Sequence, residues 1–247
     1  MTTQKMLTQF RRAISDYKMI RDGDKIAVGL SGGKDSVTLL KLLAEYRRFA
    51  PEKFDLLAIT VDLRFDGKDG DFTPLIEFCN QLGVEYVIEK TDIADIIFNH
   101  RKESNPCSLC AKMRKGALNS SAQKNGCNKV ALGHHADDFI ETMMLSLFYE
   151  GRLSTMQPKS LLDRSELVQI RPLMYTEERH ISSYARNLPI CKSKCPADKH
   201  TKREYVKEVI DNIKKDVPFV RERMYVALMH PERYNLFDKF QKDIDKF

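Results

Sequence analysis

Ser31-Gly32-Gly33-Lys34-Asp35-Ser36 is a set of residues suited to holding a phosphate within this 247-residue chain. Gly32 and Gly33 lack a Cβ at two successive positions, so the backbone there can approach a ligand closely. The apolar run before it, residues 26–30, predicts a buried parallel strand. Val37, Leu39, Leu40, Leu42 and Leu43 after it predict a helix opened by Asp35 and Ser36. Strand, glycine turn and helix N-terminus together make an anion site, because unpaired N–H groups and the positive end of the helix dipole point at the turn. The Walker A spacing cannot be matched, and the dinucleotide fingerprint fails because Ser31 stands two residues after Gly29. An ordinary glycine turn is the plainer alternative.

Two further segments carry chemistry. Gly133-His134-His135-Ala136-Asp137-Asp138 places two carboxylates just after an apolar run. Mg²⁺ takes one or two carboxylates together with phosphate oxygens. A helix N-cap accounts for one of the two acids, but not for Gly-His-His before them. Pro106-Cys107-Ser108-Leu109-Cys110 puts two thiols three residues apart, on one face of a helix start. The helix terminus with Lys112, Arg114 and Lys115 is expected to lower their pKa values. Cys191 and Cys195 lie downstream. A redox dithiol, half of a zinc site and part of an iron–sulfur cluster all fit the Cys-x-x-Cys spacing. The redox reading lacks a thioredoxin-like context, and a structural zinc needs four ligands, of which Cys191 could be the fourth. Cys79 and Cys127 fall in helix or helix-end positions and read as packing residues.

The elements that must position these groups follow from composition and pattern. The chain is 42% hydrophobic and 31% charged. It has no apolar run near the roughly 18 residues of a membrane span and no visible signal peptide, so a cytoplasmic setting is expected. Six cysteines in that setting are not expected to pair as disulfides. The net charge of +6 favours a polyanionic partner, and Lys and Arg concentrate at 101–115 and 192–203, flanking the cysteines. Strands are expected near 25–30, 54–63, 84–89, 129–132 and 167–170. Helices are expected over the opening segment and near 35–49, 73–82, 93–104, 109–124 and 137–149, with mostly helix from 176 onward. This alternation predicts an α/β fold, a mostly parallel sheet flanked by helices, with a helical C-terminal extension. The expected organisation is a single domain over 1–247: an N-terminal helix (1–22), a core (23–175) and the extension (176–247). Residues 31–36, Asp62 and 133–138 then all fall at the carboxyl ends of strands, where such sheets bind ligands.

The motif Ser-Gly-Gly-x-Asp-Ser resembles the PP-loop of ATP pyrophosphatases, and Gly-His-His-Ala-Asp-Asp resembles a second element of that superfamily. From about residue 20 to 215 the chain resembles the tRNA 2-thiocytidine synthetases. The further residues that carry this are 106–110, Leu147-Phe148-Tyr149-Glu150-Gly151 and Ile170-Arg171-Pro172-Leu173. The resemblance implies ATP bound by Ser31, Gly32, Gly33, Lys34, Asp35, Ser36, Asp62 and Gly133. It also implies Mg²⁺, and catalytic roles for Asp35, Asp137 and Asp138. Three cysteines would hold a 4Fe-4S cluster with one iron open. Cys107 and Cys110 match by motif, and Cys195, eight residues before Arg203, fits the family spacing better than Cys191. The implied reaction adenylates the C2 carbonyl of a pyrimidine, cytidine 32 in a tRNA anticodon loop, and replaces its oxygen by sulfur. A cysteine desulfurase or free sulfide would donate the sulfur, and a homodimer is compatible. The rivals are a PP-loop thiolase acting on a uridine or a non-tRNA substrate, a lysidine synthetase, which needs no cysteine triad, and a zinc-stabilised RNA- or nucleotide-binding protein without catalysis.

Overall fold

The structure, a computed structural model, describes residues 2–101, 106–162, 165–191, 195, 201–234 and 236. The chain runs α1 (Thr3–Asp16), β1 (Asp24–Gly29), α2 (Lys34–Arg47), β2 (Phe54–Asp62), α3 (Thr73–Leu82), β3 (Glu85–Lys90) and α4 (Ile93–Asp95). It continues through a π-helical segment (Ile96–Arg101), α5 (Pro106–Lys124), β4 (Lys129–Ala131), α6 (Ala136–Glu150), β5 (Lys159–Leu162) and β6 (Leu167–Ile170). Helices α7 (Glu178–Tyr184), α8 (Lys202–Asp216) and α9 (Val220–Met229) follow.

One six-stranded sheet has the order β3-β2-β1-β4-β6-β5. All neighbours are parallel except β5, which pairs antiparallel with β6 at the edge. The mostly parallel α/β fold expected from the sequence is therefore observed. The chain builds outward from β1 to β2 and β3, then crosses to β4 on the other side. The strand order reverses at β1/β4, and a crevice opens there beyond the carboxyl ends.

Strand alternation assigns the two faces of the sheet. Ile26, Val28, Leu56 and Ala58 join one cluster with Phe10, Leu39, Leu43 and Leu75; Ala27, Leu57, Ile59 and Val130 join another with Leu118 and Ala122 of α5. Period-2 side chains on a strand buried from both sides produce a near-continuous apolar run, as in β1 and β2. Ile140, Met143 and Met144 of α6 form a third cluster with Val206, Ile210 and Val220, which fastens α8 and α9 onto α6. At the amino ends of the central strands, Lys129 Nζ lies 2.6 Å from Asp24 Oδ2, and both side chains are buried. Met19 O accepts a second bond from the ammonium, and Asp24 accepts from Arg21 N and Asn128 Nδ2. A buried ion pair is tolerated when its remaining hydrogen-bonding capacity is met in this way.

Three sequence expectations are corrected. The 93–104 helix is a short α-turn followed by a π-helical segment, and residues 102–104 lie outside the described residues. Strand β5 was not anticipated, so the expected fifth strand is the sixth. Helix α5 begins at Pro106, not Leu109, which sets both Cys107 and Cys110 within its first turns. Parts of the 192–203 basic segment and of the tail (192–194, 196–200, 235 and 237–247) lie outside the described residues.

Candidate functional site

The glycine turn after β1 is held from within. Ser36, buried on α2, donates its hydroxyl to Gly33 O (2.9 Å) and accepts from Ser31 N (3.1 Å), and the two serine hydroxyls lie 3.1 Å apart. Gly33 N donates to Ser31 Oγ at 3.3 Å. Gly32 has φ +81°, a left-handed conformation costly for residues with a Cβ. A Cβ on Gly32 would also lie 2.9 Å from the Cys191 Cβ, whereas one on Gly33 would meet only Ser31 Oγ at 3.5 Å. The Gly33 side of the turn is thus open while the Gly32 side is covered. Gly33 is the N-cap of α2, so the N-terminus of that helix faces the turn.

The second loop docks directly on the first. A Cβ on Gly133 would sit 2.9 Å from Asp35 C and 3.0 Å from Ser36 N, so only glycine permits this approach of the β4–α6 loop to α2. Asp35 Oδ1 is buried without a hydrogen-bond partner among the described residues. Lys34 Nζ lies 3.2 Å from it and His135 Nε2 3.8 Å. Asp62 is placed differently: its carboxylate oxygens accept from Arg64 N and Gly70 N, which fold the loop after β2.

Asp137 and Asp138 divide their oxygens alike. Asp137 Oδ2 accepts from Glu178 N (2.7 Å) and Oδ1 from Arg221 Nη1 (2.9 Å). Asp138 Oδ2 accepts from His135 N (3.0 Å) and Oδ1 from Arg203 Nη1 (3.1 Å). Sequence reasoning did not single out Arg221 or Glu178, and it named Arg203 and Arg171 only as landmarks of the resemblance, with no role at the site. Burial opposes ionisation of Glu178, but Lys34 at 2.9 Å, with Lys207, brings its pKa down to about 2. Burial, reinforced by the Arg171 charge, depresses His134 to about 4, so it is neutral at pH 7. Its Nδ1 accepts from Arg171 Nε at 3.2 Å, which leaves the proton on Nε2.

The cysteines separate into two places. Burial raises the Cys110 thiol pKa; Arg114 opposes this, and Cys195 and Cys107 add to the rise as near neighbours. The expected lowering therefore fails at Cys110, because desolvation outweighs the adjacent guanidinium. Cys191 lies elsewhere, with its N–H donated to Gly32 O at 2.9 Å. Cys79 and Cys127 are buried, as expected. Among the described residues, no three His, Cys, Asp or Glu side chains surround a single ion position. A cubane cluster asks for something else: three thiols around a volume, each meeting its own iron. Of such a set, the described residues bring Cys107 and Cys195 each near enough to Cys110 to act on its thiol electrostatically.

A parallel sheet with its order reversal at a glycine-rich anion turn, faced by an acidic second loop, defines a nucleotide-binding protein of the PP-loop class. The PP-loop domain model matches residues 2–213. A tRNA-cytidine(32) 2-sulfurtransferase of Geobacter sulfurreducens is 41% identical over 232 residues, covering 92% of this chain and 90% of its own length. One of Pelobacter propionicus is 41% identical over 233 residues, covering 92% and 86%. The chain belongs to the PP-loop family, among the tRNA-cytidine(32) 2-sulfurtransferases. Among solved structures, the U34-tRNA thiolase NcsA from Methanococcus maripaludis with its [4Fe-4S] cluster aligns with a TM-score of 0.75 at 26% identity, covering 96% of this chain and 80% of its own. An NAD+ synthetase from Burkholderia pseudomallei shares the fold at a TM-score of 0.52 and 15% identity, covering 94% and 90%.

Proposed function

We propose that the protein is an ATP-dependent tRNA sulfurtransferase of the cytoplasm that replaces the C2 oxygen of cytidine 32 by sulfur. The observation that carries this reading is the open glycine turn at the N-terminus of α2, against which Gly133 docks and which Asp138 at the start of α6 faces, in a chain that also bears the Cys107–Cys110 pair. Such a turn suits the phosphates of the ATP that activates the base, and the thiols suit the sulfur that replaces its oxygen. The names of the relatives at about 40% identity support cytidine over uridine.

The backbone of residues 31–36 and the N-terminus of α2 would bind the ATP phosphates. Asp35, one oxygen of which is buried and accepts no hydrogen bond among the described residues, and Asp138 in the first turn of α6 would hold Mg²⁺, which would neutralise phosphate charge. The C2 oxygen attacks the α-phosphorus, the bond to the β-phosphate breaks, and pyrophosphate leaves. Sulfide then adds to C2, and AMP departs with the original oxygen. Cys107, Cys110 and Cys195 would hold a 4Fe-4S cluster, which supplies an open iron able to bind that sulfide. A cysteine desulfurase or free sulfide would replenish the sulfur. Exposed basic residues flanking the cysteines, such as Lys112, Arg114 and Lys115, would hold the RNA backbone, and the target base must leave its stack to react.

Nucleoside analysis of tRNA by mass spectrometry tests this. Cells lacking the gene should lose 2-thiocytidine, wild type should restore it, and Asp138→Asn should not. Unchanged 2-thiocytidine, or loss of a thiouridine in its place, would overturn the assignment.

A further inference from the structure

The acidic pair at the start of α6 is not symmetric, and the asymmetry comes from the C-terminal helices. Asp137 joins three elements: its own helix, the first N–H of α7, and Arg221 of α9. Its side chain is 11% exposed. Asp138 is more accessible, at 20%; His135 contacts it from its own loop, and Arg203 of α8 holds it from across the site. The same Arg203 Nη1 lies 2.8 Å from Glu141 Oε2, one turn further along α6, and Nη2 reaches Thr142 Oγ1 at 3.4 Å. Glu141 is fully buried. A buried carboxylate needs a counter-charge, so Glu141 fixes where the guanidinium sits. The same Nη1 then donates to Asp138 Oδ1 as well, while Nη2 on Thr142 holds the plane of the guanidinium.

We infer that Arg203 is a positioning residue for Asp138 in the adenylation step, anchored by buried Glu141, and that Asp137 is a clasp between helices. The inference rests on the sulfurtransferase reading. Arg203, in the first turn of α8, stands eight residues after Cys195 in the sequence, so a proposed cluster ligand and the group that orients the acid are close along the chain. Lysine at 203 retains a charge for Glu141 but ends in a single tetrahedral nitrogen, which cannot hold both carboxylates and Thr142 Oγ1 as the two Nη atoms of the planar guanidinium do.

The test uses the full-length protein, reconstituted anaerobically, and follows tRNA-dependent pyrophosphate release, iron content and thermal melting. Arg203→Lys should melt near wild type and keep its iron. Its kcat should fall by about tenfold or more, the scale at which misplacing a catalytic group acts, with little change in KM for ATP. Added guanidinium should restore part of the kcat of Arg203→Ala and none of that of Asp138→Asn. Wild-type kcat in Arg203→Lys would overturn the inference. So would an activity loss that only tracks loss of melting temperature or iron, and so would guanidinium failing to raise a folded Arg203→Ala. If wild type itself releases no pyrophosphate with tRNA, the sulfurtransferase reading fails instead, and the two failures are told apart.

Discussion

Cys191 and Cys195 are four residues apart, yet their surroundings differ in kind. Cys195 acts electrostatically on Cys110 alongside Cys107, while Cys191 packs its Cβ against Gly32. Replacing Cys191 by alanine removes only its sulfur and leaves its backbone bond to Gly32 in place. Cys191→Ala should therefore retain iron after anaerobic reconstitution, whereas Cys195→Ala should lose it together with thiolation activity. Iron analysis and the visible absorbance of the cluster would show the reverse pattern if Cys191 were the ligand. Spacing alone made Cys107 and Cys110 legible in the sequence, since two thiols three apart on a helix share a face. It could not give the sign of the Cys110 shift, because burial depends on what the rest of the chain packs over that turn. Nor could it pair Arg203 or Arg221 with their acids, which lie 65 and 84 residues away.

Among the elements, helix α7 owes its place to charges contributed by others. Glu178 in its first turn pairs with Lys34 of the nucleotide loop and Lys207 of α8, and its N–H is held by Asp137. Its carboxyl has a pKa of about 2 against an ordinary 4.5, so the folded state favours the ionised form. That stability is present above pH 4.5 and is lost as pH falls through the folded value. Denaturant unfolding of wild type and Glu178→Gln should show wild type more stable by a constant margin from pH 7 down to about 4.5, narrowing toward pH 2. A margin that stays constant throughout would contradict it. The strands of the core were legible because buried parallel strands are uninterrupted apolar runs, as in residues 26–30 and 54–62. Strand β5 was not, because Lys159-Ser160-Leu161-Leu162 is short and partly exposed and forms at the edge only by pairing with β6. The π-helical turn of residues 96–101 likewise has no apolar period of its own.

At the scale of the whole molecule, a net charge of +6 bears on how an RNA is held. Contacts to phosphates release counterions, so affinity for tRNA should fall with salt at a log–log slope of about −0.7 to −0.9 per phosphate neutralised. Filter binding or fluorescence titration across a salt series measures this, with nucleotide binding to the loop as the comparison. An affinity for tRNA that does not change with salt would remove the electrostatic account of the partner.

The buried Lys129–Asp24 pair closes the end of the sheet opposite the nucleotide crevice, with Met19, Arg21 and Asn128 completing its bonds. Cohesion and reactivity are thereby assigned to opposite ends of the same strands. Substitutions at the Lys129 end should alter melting and leave substrate choice untouched, while the loops at the other end can diverge without unravelling the sheet. Such a chain is free to be retailored: an ancestral scaffold can change its clientele by rewriting one rim, and a library aimed at new acceptors should randomise that rim and leave the opposite one alone.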